Sequence, residues 1–300
     1  MHIRGIWFLT LCLGWALTSC DNGAPKRIDL QITTRGGGNF LVAGVEVSYV
    51  AVCYPGSYSP YDNVDDRGLR FSVKPQKPDD PDYGDVLWKD IDSVSFGAPA
   101  GNRGGACDGL PTRVAAVVHY KDGHNESRDL EDTTDFGIEG QTDHGKIIVP
   151  LREVAKLGLV PDQDWPWARE PNVNYNEKLH LTHQDGKTQL FGYPEINTNQ
   201  GKGLDGQILV SPFGSNAEGL PTLIAGARED IAWHLIKSVD FEPLGPDKTL
   251  KGTVTFTDGH KEERVVRDLM MEDGQETASF YGLKRLEVEV HPTPVPKTSS

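Results

Sequence analysis

The chain has 300 residues, with 30 Lys and Arg against 44 Asp and Glu, a formal net charge of −14 and 37% hydrophobic residues. That length suits one large or two modest domains with cores of their own, and the apolar content excludes a chain disordered throughout. The acidic excess repels phosphate backbones and anionic lipid surfaces, which argues against nucleic acid as a partner.

In chain order, the first segment is a targeting pattern. Arg4 gives a short positive start, Gly5 to Leu17 is an apolar run broken only by Thr10, and the small residues Thr18 and Ser19 lead into Cys20. The run is too short for a bilayer, which takes roughly 20 residues, and fits the apolar core of a signal peptide. In order and content it resembles a bacterial lipoprotein signal peptide with its lipobox. The resemblance implies that residues 1–19 are removed and that Cys20 becomes the lipid-modified first residue. The protein is then held on the cell membrane by several acyl chains, facing the periplasm or the cell exterior. Asp21 resembles the inner-membrane retention signal of enteric lipoproteins. Removing residues 1–19 takes away Arg4 alone among the Lys, Arg, Asp and Glu, so the mature net charge is about −15 and membrane contact falls to the lipid. Residues 20–27 read as a tether.

The first half spans 28–160. Ile28 to Phe40 alternates apolar residues around Gly36-Gly37-Gly38, and Tyr54 to Asp66 and Pro75 to Asp85 read as insertions rich in Pro, Asp and Tyr. Trp88-Lys89-Asp90-Ile91-Asp92-Ser93-Val94-Ser95-Phe96 follows, then a Gly-rich insertion holding Cys107. With Cys12 in the signal and Cys20 lipidated, Cys53 and Cys107 remain. Two thiols in an oxidising compartment read as a disulfide, contributing roughly 4 kcal/mol in the chain-entropy model. Alternation in Ala116-Val117-Val118-His119-Tyr120 predicts a strand with one buried face, and Asp122-Gly123 predicts a type I′ hairpin turn. Leu151 to Leu157 is a candidate short helix.

Residues 161–175 read as a linker containing Trp165 and Trp167. The second half, 176–290, repeats two phrases of the first. Trp233-His234-Leu235-Ile236-Lys237-Ser238-Val239-Asp240-Phe241 shares W-x-x-I-x-S-V-x-F with residues 88–96, and Phe256 to Arg264 shares aromatic-x-D-G-H-x-E-x-R with Tyr120 to Arg128. Two ordered matches predict an internal duplication, and weaker echoes divide each half again, into units near 28–98, 113–160, 176–243 and 249–290. The expected fold is therefore all-β or β-rich, each half made of two small hairpin or barrel-like units. In pattern alone the units resemble small Sm-like barrels. The stretch Arg228 to Ser238 fits a short helix or a strand equally. Residues 291–300, rich in Pro, Ser and Thr, are expected to be disordered.

The candidate chemistry is sparse. On a strand, His124, Glu126 and Arg128 share one face, as do His260, Glu262 and Arg264, and a histidine beside a carboxylate can ligate a metal or trade a proton. The same pattern is also the polar side of an ordinary hairpin, and its presence in both halves favours that reading. Trp88 and Trp233 lie inside a repeated apolar phrase and are expected in the core. Trp165, Trp167, Tyr54, Tyr58 and Tyr61 lie outside the repeats and form the candidate ligand-binding aromatics. The acidic runs 62–66 and 79–82 lack calcium-loop spacing, Gly36-Gly37-Gly38 lacks the Gly-Lys-Ser/Thr of a phosphate loop, and zinc-type Cys/His spacing is absent. No cofactor or metal is expected. The sequence thus points to a lipid-anchored cell-envelope protein with a non-enzymatic binding or scaffold role, its partner an envelope protein. The alternatives are a glycan or envelope-polymer binding module and, behind it, a His/carboxylate hydrolase.

Overall fold

The computed structural model describes residues 27–49, 68–70, 85–102, 111–131, 136–161, 165, 167, 173–192, 195–197, 219–245, 249–266, 270–273 and 276–294. Cys20, Cys53, Cys107, Tyr54, Tyr58 and Tyr61 lie outside them. Strands dominate, there is no α-helix among the described residues, and none of their helical turns is long enough to cross a membrane.

The strands fall into four successive sets. The first is β1 (Asp29–Thr34), β2 (Asn39–Tyr49), β3 (Gly68–Arg70), β4 (Asp85–Leu87) and β5 (Ile91–Ala100). The second is β6 (Arg113–Tyr120), β7 (Asn125–Glu131), β8 (Phe136–Gln141), β9 (Gly145–Pro150) and β10 (Val154–Val160). The third is β11 (Val173–His183), β12 (Thr188–Phe191), β13 (Glu195–Asn197), β14 (Gly219–Ile224), β15 (Ala227–Ala232) and β16 (Ile236–Phe241). The fourth is β17 (Leu250–Phe256), β18 (Lys261–Val266), β19 (Met270–Asp273), β20 (Glu276–Ser279) and β21 (Leu283–Pro294).

A single turn of chain precedes the last strand of every set, and it is 3-10 at Leu151–Glu153, Trp233–Leu235 and Phe280–Gly282. Trp88, Leu151, Trp233 and Phe280 occupy the first position of this turn. Ile91, Val154, Ile236 and Leu283 stand three residues on, and Val94, Leu157, Val239 and Leu286 three beyond that. All are buried. A regular strand cannot point residues three apart to the same face, because its period is two. The register shifts at this point in each set, so that Asp92, Ala155, Lys237 and Lys284 are extra residues skipped by the pairing. Each is a β-bulge, and the bulge converts a spacing of three into two buried side chains. Leu151 to Leu157 is therefore a 3-10 turn running into a strand, and Arg228 to Ser238 is strand on both sides of such a turn.

Pairing follows one scheme in both halves. The last strand of each set pairs with the first strand of its neighbour, as β5–β6 and β10–β1, and as β16–β17 and β21–β11. The two last strands also pair with each other, Val94 opposite Leu157 and Val239 opposite Leu286. The sixteen-stranded order is β12-β11-β21-β16-β17-β18-β14-β15-β9-β8-β2-β1-β10-β5-β6-β7. By position within the sets it reads the same from either end, with the β15–β9 pair at its centre. Beneath it lie two apolar cores, one for each half. Pairing continues past the expected bounds: Val173 is opposite Pro294 and Asn176 opposite His291. Residues 173–175 and 291–294 are thus strand, whereas the sequence placed them in a linker and a disordered tail, because mutual pairing satisfies a backbone of low strand propensity.

The Asp-Gly turns are not type I′. That type needs positive φ at both central residues, but Gly123, Gly186 and Gly259 (φ 90°, 85° and 93°) have it alone, without their aspartates. In each, the glycine N–H bonds the carbonyl three residues back (Tyr120, His183, Phe256), and that residue's N–H bonds the carbonyl four ahead. This is a type I turn closed by a left-handed glycine. The aspartate is selected by its side chain: Oδ1 of Asp122, Asp185 and Asp258 accepts from the backbone N–H two residues on, at 3.0–3.1 Å. The type I′ turn lies instead at Ala225 and Gly226 (φ 48° and 86°), between β14 and β15. This hairpin tip packs on the first core and against the glycine run near the chain start, where a Cβ on Gly36 or Gly38 would come within 2.8 Å of Ala225.

Candidate functional site

The strongest concentration of ionisable side chains lies where the halves meet. Strand β15 reads Ala-Arg-Glu-Asp-Ile-Ala and is paired on both edges, by β14 and by β9, so Arg228, Glu229 and Asp230 are all buried. A buried charge needs a partner. Arg228 and Asp230 share two hydrogen bonds of 2.8 Å. Glu229, with a side chain 3% exposed, draws on both halves: Thr142 donates to its Oε1 at 3.1 Å, and its Oε2 lies 3.5 Å from His144 Nδ1 and 3.3 Å from Arg264 Nη2.

His144 sits in the β8–β9 turn, where Ala232 of β15 donates its N–H to the His144 carbonyl at 2.8 Å. The backbone at this histidine is thereby fixed to the second half. The facing Glu229 carboxylate raises the His144 pKa against the opposing effect of burial, helped by Asp143 and Glu262. Burial pushes the Glu229 carboxyl up, but His144, Arg264 and Thr142 outweigh it and keep the group below the ordinary glutamate value.

Glu262 and Arg264 lie on one face of β18, as expected from strand alternation, and His260 stands just before the strand. His260 stacks on Phe256 at 4.1 Å, accepts Asp258 as partner of its Nδ1 at 2.5 Å, and presents Nε2 3.6 Å from Glu262 Oε1. Arg264 Nη2 contacts Glu262 Oε2. His144 packs beside Phe256 (5.1 Å between centroids), and one ligand atom from each of His144, His260 and Glu262 lies within 4.8 Å of the others. These three residues can hold a metal.

The first-half copy is wired differently. His124 stacks on Tyr120 at 4.1 Å and faces Asp122 at 2.5 Å, but the Tyr120 hydroxyl donates to Glu126 Oε2 at 2.8 Å and Arg128 to the same atom at 3.0 Å. Phe256 lacks that hydroxyl, so Oε2 of the equivalent Glu262 faces Arg264 without a tyrosine donor, and its Oε1 faces His260. Trp88 and Trp233 are in the core. Trp165 and Trp167 stack at 5.6 Å, both half-buried, and the Trp165 indole N–H donates to Asp29 Oδ2 at 2.8 Å. They are anchored to the first strand of the first half.

Sequence reasoning passed over Thr142, His144 and Glu229. The first two stand in an ordinary turn sequence and Glu229 in a charged triplet, a composition that signals solvent exposure until the strands on either side are known. Compared with known proteins, the chain matches no family model, no curated protein and no solved structure.

Proposed function

We propose that the chain is a lipid-anchored module of the cell envelope with a non-enzymatic binding or scaffold role, attached through Cys20 and facing the periplasm or cell exterior. The observation that carries this reading is the use made of the repeated Asp-Gly-His-x-Glu-x-Arg phrase. In both halves the aspartate closes the hairpin turn and the histidine packs on the aromatic residue before it. The aspartate and the histidine of the phrase thus support the hairpin in both halves. Four strand sets built on one plan, read as copies of one unit, also give a broad outer surface on which recognition can be placed. On that surface, β5, β6 and β7 form a depression of about 280 Å³ with Ser95, Gly97, Ala115, Val117, Ser127 and Asp129 along it.

A second reading, a glycan or envelope-polymer binding module, is favoured by the half-buried Trp165–Trp167 stack, since aromatic faces bind sugar rings. The test is affinity purification of the full-length protein from cross-linked native membranes, with Cys20→Ala in parallel. A near-stoichiometric protein partner seen only with the lipidated form supports the scaffold. Its absence from both samples refutes the scaffold and moves the search to soluble glycans.

A further inference from the structure

We propose that His144, His260 and Glu262 bind a divalent transition metal, with zinc the best match, and that the ion ties the first half of the chain to the second. The donor set of two imidazoles and a carboxylate is the chemistry zinc prefers. Ligand atoms around a zinc with bonds near 2.0–2.1 Å stand about 3.3 Å apart. The His260 Nε2 to Glu262 Oε1 separation of 3.6 Å is close to that, and the ligand atoms of all three residues lie within 4.8 Å of one another.

The surroundings complete the argument. A metal-ligating histidine ordinarily donates its other ring N–H to a carboxylate. Both histidines have one in place, Asp258 at 2.5 Å from His260 Nδ1 and Glu229 at 3.5 Å from His144 Nδ1. Glu229 Oε2 is buried, accepts no hydrogen bond among the described residues, and has the Arg264 guanidinium 3.3 Å away as its ion-pair partner. With a metal on Nε2 of His144, the ring proton sits on Nδ1, on the side of that oxygen, and Arg264 Nη2, 3.4 Å from Nδ1, turns its protons to the carboxylates of Glu229 and Glu262. Arg264 engages Oε2 of Glu262, which leaves Oε1 for the ion. Asp258, Glu262 and Glu229 against Arg264 leave two negative charges in excess, matching a divalent cation. His144 belongs to the first half and the other two ligands to the second, so the ion bridges them. Three protein ligands leave a further position for solvent.

The first-half phrase is a built-in comparison: among the described residues His124 and Glu126 belong to no group of three potential ligands, because nothing there takes the place of His144. The experiment is calorimetric titration of zinc into the full-length protein after chelator treatment, for wild type, His144→Ala, His260→Ala, Glu262→Gln and His124→Ala. One zinc per chain is expected, with affinity lowered roughly a hundredfold or more by each of the three site substitutions and unchanged in His124→Ala. A wild-type protein that binds no zinc, or site variants that bind like wild type, overturns the proposal. Should an alanine variant fail to fold, His260→Cys loaded with cobalt provides an independent readout. A new thiolate-to-cobalt charge-transfer band absent from wild type supports the site, and its absence from the folded variant overturns it.

Discussion

Replacing the repeated ring at the start of the 3-10 turn tests the shared core plan most directly. Trp88 and Trp233 are 1% and 4% exposed, one in each core. Truncating either to alanine removes a whole aromatic group from a close-packed site and is expected to cost about 3–5 kcal/mol. Phenylalanine is the sharper probe. Both indole N–H groups are buried without a hydrogen-bond partner among the described residues, a condition that costs about 1–3 kcal/mol. Moving from the upper to the lower end of aromatic burial loses at most about 100 Å², or roughly 2.5 kcal/mol at 25 cal/mol per Å². The two effects offset, so Trp88→Phe and Trp233→Phe should each lie within about 1.5 kcal/mol of wild type. Phe280, at the same position of the fourth strand set and fully buried, shows the pocket type accepts that ring. Urea unfolding followed by far-ultraviolet circular dichroism measures the differences. A phenylalanine variant as damaged as its alanine counterpart would refute the unpaired-donor argument, and an alanine variant within 1 kcal/mol of wild type would refute the core assignment.

Gly36→Ala should destabilise by about 1–3 kcal/mol, since its Cβ would sit 2.8 Å from the Ala225 backbone, which cannot swing aside like a side chain; an unchanged melting temperature contradicts this. Glu229→Ala removes the carboxylate that faces His144 and Arg264 and is expected to cost about 3–5 kcal/mol, with Arg264→Met in the same chain recovering part of it; strictly additive losses in a double-mutant cycle rule out the coupling. Hydrogen bonds from Arg128, then Tyr120, hold the Glu126 carboxyl below its ordinary value. A depressed acid contributes stability that is complete above its unfolded pKa and is lost as pH falls through the folded one. Tyr120→Phe, which recreates the Phe256 arrangement, should therefore lose stability at neutral pH and show a shallower decline below about pH 4.5; parallel pH profiles for the two proteins refute the pairing.

Much of this molecule is legible in one dimension. The β class follows from alternation at Ala116 to Tyr120 and Thr253 to Phe256, and the buried positions follow from the shared W-x-x-I-x-S-V-x-F phrase, because exclusion of apolar groups from water acts on each strand separately. Turn type was misread since Asp-Gly serves two hairpin geometries, and only backbone hydrogen bonding separates them. The bulges at Asp92, Ala155, Lys237 and Lys284 were hidden for a similar reason: register is a property of two strands, and a single sequence contains one.

The candidate site was half visible. Glu262 and Arg264 stand out because two-residue spacing places them on one face of β18, with His260 just before the strand. His144 and Glu229 do not, since nothing local distinguishes a turn histidine or an acidic triplet that will be buried from one that will face water. The sequence by itself determined strand content and the repeated core positions, both of which depend on short-range periodicity or on order along the chain. Tertiary structure alone decided that β9 pairs with β15. That pairing covers the second edge of β15 at Glu229, carries His144 across to Phe256 and His260, and creates a charged junction from residues up to 120 positions apart.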